Sequence, residues 1–134
     1  VELLITVVGM WEPSFSEYEQ IIEYRMWKQT IAAFNVDRWI MVGKGPECIS
    51  SFEHAPTMQD ALETISCQRV FMVPECGQEL DRVWRVQDHS YIFGNAQENL
   101  LRYVSENDQV AHLKTPESID MFAACVLPAV LLWP

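Results

Sequence analysis

The chain reads as an α/β protein with a mainly parallel sheet and helices on both faces. Three observations predict this. Short apolar runs alternate with segments of helical periodicity throughout the chain. The first run, Leu3-Leu4-Ile5-Thr6-Val7-Val8, is continuous and rich in β-branched residues, as a strand buried on both faces requires. The last third, Asp88 to Trp133, holds two strand-to-loop-to-helix junctions in succession. Such junctions place two loops at one edge of the sheet, where α/β proteins bind ligands.

Gly9 is expected to end the first strand, and Trp11-Glu12-Pro13-Ser14 reads as a loop. Ser16 with Glu19 three residues later fits a capping box. Tyr24, Trp27, Ile31 and Phe34 recur at helical spacing, which predicts a helix from Ser16 to Ala33 with one apolar stripe and Asn35 at its C-terminal cap. Arg38 to Val42 is a second strand, closed by Gly43-Lys44-Gly45-Pro46. Ile49 to Phe52 reads as a possible short strand, and Thr57 as the cap of a helix from Met58 to Ile65. Val70 to Val73 is a strand and Pro74-Glu75-Cys76-Gly77 a loop, followed by a helical turn somewhere in Gln78 to Val86.

Tyr91 to Ala96 is a strand breaking into a loop, and Gln97 to Tyr103 a helical stretch. Val110 to Leu113 is a short apolar run, with a turn over Lys114 to Glu117. The final helix is predicted over Ser118 to Trp133, with Thr115 as cap and Pro116 at its start. Pro128 conflicts with that helix, because it removes a main-chain donor and kinks the last turns. No repeat, low-complexity segment or linker interrupts the chain, so residues 1–134 read as one domain.

A net charge of −10 disfavours non-specific binding of nucleic acid by the whole surface, since phosphate contacts need Lys and Arg. It leaves room for a local basic patch among the nine basic residues. The four cysteines, Cys48, Cys67, Cys76 and Cys125, form no C-x-x-C pair and have no histidine at zinc-ligand spacing. They are expected as free buried thiols, and no metal is expected. The first residues lack the basic start of a signal peptide, and the longest apolar tract, Met121 to Trp133, is too short to span a bilayer. A cytoplasmic protein without a membrane partner is the expectation. Leu131, Leu132 and Trp133 would be an exposed patch in a monomer, which suggests burial in a dimer.

Phe93-Gly94-Asn95-Ala96-Gln97-Glu98-Asn99-Leu100 is similar to the F-G-S-E-x-x-G-L segment of the SpoU–TrmH class of SPOUT methyltransferases. Ser118-Ile119-Asp120-Met121 stands where that family has S-L-N before a small, apolar helix. Ala33-Phe34-Asn35-Val36-Asp37-Arg38-Trp39-Ile40-Met41-Val42-Gly43 resembles its A-F-G-V-x-x-V-x-L-V-G stretch, and the resemblance covers roughly Ala33 to Leu132. It implies a sheet whose C-terminal part is tied in a trefoil knot, a homodimer, and S-adenosylmethionine held mainly by backbone groups of three loops. Those loops would contribute Val73, Pro74, Glu75 and Gly77; Phe93, Gly94, Asn95 and Ala96; and Leu113, Lys114, Ser118 and Met121.

The first motif of that family, N-x-G-x-x-x-R, is not kept: Glu23, Arg25 and Gln29 occupy its Asn, Gly and Arg positions. The missing Arg is the residue that the family implies for activating a ribose 2′-hydroxyl, and Gln can neither carry charge nor act as a base. The family's Glu becomes Ala96, its Gly Asn99 and its last Asn Asp120. Lys28, Gln29 and Asp120 are the residues left as catalytic candidates. Their plain alternatives are a solvated helix face for Lys28 and a helix-dipole acid for Asp120. One residue along a helix is a turn of about 100°, which points Lys28 away from the direction of Gln29. The resemblance implies an RNA methyltransferase acting on a ribose 2′-oxygen, tRNA being one candidate substrate. The alternative is a dimeric nucleoside- or RNA-binding protein of the same fold that has lost transfer. A third reading is an unknotted, flavodoxin-like nucleotide binder.

Overall fold

The computed structural model describes residues 3–45, 51–95, 98–114 and 123–132. Seven strands form one sheet: β1 (Ile5–Met10), β2 (Arg38–Val42), β3 (Glu53–Ala55), β4 (Gln68–Met72), β5 (Gln78–Glu79), β6 (His89–Phe93) and β7 (Gln109–His112). Their spatial order is β3-β2-β1-β6-β4-β7-β5, and every pairing is parallel. Three helices accompany them: α1 (Glu17–Ala33), α2 (Met58–Glu63) and α3 (Ala123–Leu132). Two 3-10 turns, Leu80–Arg82 and Leu100–Tyr103, complete the described elements. No described helix is long and apolar enough to cross a membrane.

The central strands are apolar on both faces because both are covered. Val7, Trp39, Met41, Val70, Met72, Tyr91 and Phe93 pack into one core with Trp27 of α1 and Leu127 and Val130 of α3. Their neighbours Val8, Ile40, Phe71 and Ile92 point the other way, against Met58, Ala61 and Leu62 of α2 and Leu100 of the second 3-10 turn. This period-two division turns each strand into the partition between two cores. The predicted layering, with helices on both faces of a parallel sheet, is therefore observed.

Ser16 caps α1: its side chain accepts from Glu19 N, and the Glu19 carboxylate accepts from Ser16 N, as the spacing predicts. The helix closes at Phe34, and Asn35 follows with φ 52°, the left-handed position that asparagine tolerates. Thr57 caps α2 in the same manner, accepting from Asp60 N. Arg38–Val42 matches its predicted limits.

Four expectations change. Gly9 does not end β1, which continues to Met10. A Cβ there would run into the Trp27 ring, so Gly9 serves close helix-to-sheet packing and not a turn. Of the possible strand Ile49 to Phe52, residues 49 and 50 lie outside the described residues; Phe52 joins an aromatic cluster with Trp11, Tyr24 and Trp39, and a strand begins after it at Glu53. Of the stretch expected as a helix from Gln97 to Tyr103, Gln97 lies outside the described residues, and the described part is helical only as the 3-10 turn Leu100–Tyr103, opened by Asn99 whose side chain accepts from Leu101 N. Asparagine competes for main-chain donors, and here it starts a turn too tight to propagate. The segment after Gly77 starts as a two-residue edge strand before its helical turn.

The final helix contains Pro128, as expected, and is described from Ala123 onward. Residues 115–122 lie outside the described residues, and with them the Thr115 cap and the crossing on which a knot depends.

Candidate functional site at the C-terminal edge of the sheet

β6, β4 and β7 are consecutive neighbours, with Met72 opposite Phe93 on one side and Ala111 on the other. Because all three run parallel, the segments that follow them leave from the same edge. These are the loops starting at Val73, Gly94 and Leu113 predicted to meet, and the topology places their starts side by side.

The loop after β4 is fastened to β7. Val73 N donates to Ala111 O at 2.9 Å, and a ring nitrogen of His112 lies 2.8 Å from Cys76 O. Glu75 and Gly77 adopt φ 58° and 68°. Gly77 is required there, since a Cβ would strike the Val110 carbonyl and the left-handed conformation penalises other residues. Pro74 and Glu75 form the bend between these anchors. Gly94 is pressed against the second 3-10 turn, where a Cβ would lie 3.1 Å from Leu100 Cγ. Leu113 and Phe93 are buried, whereas Lys114 is exposed. Ala96, Ser118, Met121 and Asp120 lie outside the described residues.

β1 borders β6 on its other side, and its following loop joins the group. Trp11 N donates to Val42 O, and Asn95 Nδ2 donates to Trp11 O at 2.9 Å. Asn95 thus ties the β6 loop to the β1 loop, a role that its sequence position alone did not reveal.

The catalytic candidates on α1 are placed otherwise. The helix runs from this edge back to the opposite one, where Asp37 exchanges hydrogen bonds with the main chain of Ile5. Lys28 and Gln29 lie in its later half, and both are exposed. The Lys28 ammonium stands over the Tyr24 ring, 5.8 Å from its centroid. Among the described residues, no hydrogen bond or ion pair joins either side chain to the segments that follow β4, β6 and β7.

Two acids that were not candidates are instead buried near this edge. Glu12 and Glu23 are only 5% and 7% exposed. Glu12 Oε1 accepts from Ser14 N and Ser14 Oγ, at 3.3 and 2.9 Å. Burial raises the Glu23 carboxyl to about 7; the Glu12 carboxylate adds to this, while the Trp27 indole and the Glu12 main chain offset part of it. One sequence signal was available: Glu23 precedes Trp27 by four residues and so shares its inward face. The substitution of an acid at the family's Asn position was visible, but its burial was not.

The opposite edge carries a cleft of about 440 Å³ lined by Cys67, Gln68, Arg69, Gln87 and Asp108 among others. Arg69 there donates to Leu62 O and Ile65 O and faces Asp108 at 3.8 Å, which joins α2 to β4 and β7. That is a structural fastening. Cys67 and Cys76 are free thiols, half-buried rather than fully buried. Among the described residues no cluster of His, Cys, Asp or Glu is placed to hold a metal.

No protein-family model matches the sequence, and no curated protein is significantly similar to it. Solved structures do match. A protein studied for structural insights into the 2-OH methylation of C/U34 on tRNA aligns with 98% of this chain and 89% of its own, with a TM-score of 0.67 and 12% identity. The SpoU methyltransferase AviRb from Streptomyces viridochromogenes, in complex with AdoMet, aligns with 98% of this chain at a TM-score of 0.67 and 13% identity. An AdoMet-bound rRNA methyltransferase from Sinorhizobium meliloti aligns with 97% at 0.63 and 14% identity. The chain spans 56% and 54% of the lengths of these last two. At such low identity the match speaks for architecture alone, and the all-parallel sheet with helices on both faces is that architecture: the chain has the α/β fold of the SpoU-type SPOUT methyltransferases.

Proposed function

We propose that the chain is an S-adenosylmethionine-dependent RNA methyltransferase, acting on a ribose 2′-hydroxyl. One observation carries the reading: three loops leave adjacent parallel strands at one edge of a fold shared with AdoMet-bound enzymes. The residues suit a nucleoside. Val73 offers half-buried apolar surface beside main-chain groups, Gly77 holds its loop in a left-handed turn, and Gly94 lets its loop lie close against Leu100. In this reading Val73 to Gly77, Gly94 to Ala96 and Leu113 to Met121 enclose the cofactor, which supplies an electrophilic methyl group. The chain's part is positioning, because methyl transfer is an in-line displacement whose rate depends on alignment. We extend the reading to a single domain acting as a cytoplasmic homodimer on RNA, with tRNA as a candidate substrate.

Calorimetry with S-adenosylmethionine tests the cofactor, and labelled-methyl transfer to total RNA tests the reaction. Saturable binding with label at a 2′-oxygen is expected; absence of binding refutes the proposal. The exposed positions of Lys28 and Gln29 favour a second reading, a dimeric nucleoside- or RNA-binding protein without transfer. Binding without transfer selects it.

A further inference from the structure

α1 carries apolar side chains on two sides. Tyr24 and Trp27 face inward and are buried. On the outward side Tyr18, Ile21, Ile22 and Met26 remain 73%, 41%, 41% and 38% exposed. Their spacing of three, four and five residues sets them on one continuous face, away from Trp27. The sequence predicts one apolar stripe, and this outward group is a second. Four of the eight exposed large hydrophobic side chains among the described residues lie here, so the patch is local and not general surface. A helix that is apolar on both sides needs a cover for each.

These side chains leave roughly 350 Å² of apolar surface in water, a size at which a patch marks an interaction site. A standard interface takes about 800 Å² from each partner and is a little over half apolar, so the patch supplies most of that apolar share. The charges select the occupant. Glu17 and Glu19 lie in the first turn, Arg25 and Lys28 past the middle, and all four are exposed. Two copies laid antiparallel about a two-fold axis at Ile22 bring Glu19 level with Arg25 of the partner subunit. The same axis brings Tyr18 level with Met26 of the partner subunit and Ile22 against its own copy. A parallel pairing sets like charges level instead, which is unfavourable. We propose that the outward face of α1 is the contact surface between two copies of this chain, paired antiparallel about Ile22.

The inference names the surface of the homodimer put forward with the methyltransferase reading, and it does not depend on methyl transfer. It also moves the contact. The sequence suggests the patch from Leu131 to Trp133 for that role, but Leu131 packs against the core of its own subunit, and Trp133 lies outside the described residues. On α1 the apolar group and the charges are arranged for self-pairing, because a two-fold contact repeats every pair of residues with the roles exchanged. Glu19 holds the Ser16 cap through Oε1, and a carboxylate accepts at both oxygens, so capping and pairing are compatible.

Analytical ultracentrifugation of the 134-residue chain tests this, with circular dichroism to confirm that each variant is folded. Wild type is expected at twice its chain mass of 15.5 kDa. Ile22→Glu sets two carboxylates against each other at the axis and should weaken association at least about 100-fold; Met26→Lys should weaken it about 10-fold. Val86→Glu changes an exposed apolar side chain elsewhere and should leave the dimer intact. Arg25→Glu should weaken association about 10-fold, and adding Glu19→Arg should recover most of that loss. A loss that the second change does not recover overturns the antiparallel register. A dimer that persists unchanged in both Ile22→Glu and Met26→Lys overturns the inference alone, since the contact then lies on another surface. A wild-type monomer at about 100 μM overturns the inference and the homodimer together, and leaves cofactor binding to its own calorimetric test.

Discussion

Replacing Glu23 by glutamine should make the protein more stable at neutral and alkaline pH. Burial raises the carboxyl from its ordinary 4.5 to about 7 in the folded chain. Between those values the folded state binds more protons than the unfolded state, so the stability contribution falls as pH rises. It is complete below 4.5 and has gone once pH passes the folded value. The span of about 2.5 pH units corresponds to roughly 3 kcal/mol at 1.36 kcal/mol each. Glutamine keeps the shape and removes the charge. Urea unfolding at intervals from pH 5 to pH 8 would measure it. The stability difference between variant and wild type should grow by about 2.5 kcal/mol over that range, because groups common to both cancel. A constant difference, or one that shrinks as pH rises, would refute the assignment of a neutral buried carboxyl.

Four further substitutions probe the scaffold. Gly77→Ala must hold alanine at φ 68° against the Val110 carbonyl; a loss of at least about 1–2 kcal/mol in urea melts is expected, with weaker cofactor binding by calorimetry. Gly9→Ala drives a methyl group into the Trp27 ring and should cost about 1–3 kcal/mol in the same melts, with a changed tryptophan emission. Ser16→Ala removes half of the capping box and should lower the thermal midpoint by an amount equivalent to about 1 kcal/mol. Asn95→Ala removes the Nδ2 bond to Trp11 O; cofactor affinity should weaken up to about tenfold, with a smaller change in melting temperature.

Much of this fold was legible because its signals are local or strictly periodic. Ser16 and Glu19 announce the start of α1, and Thr57 that of α2, through contacts made within a single turn. Arg38–Val42 was readable to the residue because Asp37 and Gly43 punctuate a run that strands favour. The three loop starts were legible for the same reason. What failed depended on partners remote in sequence. Gly9 looks like a terminator until Trp27 is known to lie across it. Asn99 and Leu100 look helical until the turn is seen pressed on Gly94. Glu23 looks like a solvated helix residue until α1 is docked with its Trp27 face inward, which carries the acid with it. The candidate site was thus half visible: its loop starts follow from strand order, while the burial of Glu23 follows from helix docking.

The pairing of β1 with β6 bears on how the chain is made. Leu4 and Asp88, joined by a hydrogen bond at the foot of these strands, are 84 residues apart. During synthesis β2 can flank β1 early, since one helix separates them, but the other side waits until His89–Phe93 emerges. At about 5–20 residues per second that wait lasts several seconds, with an unpaired apolar strand edge in contact with the cell. Holding factors at the ribosome would have their work here, and a synonymous codon change that slows the intervening stretch should lower soluble yield without altering the finished protein.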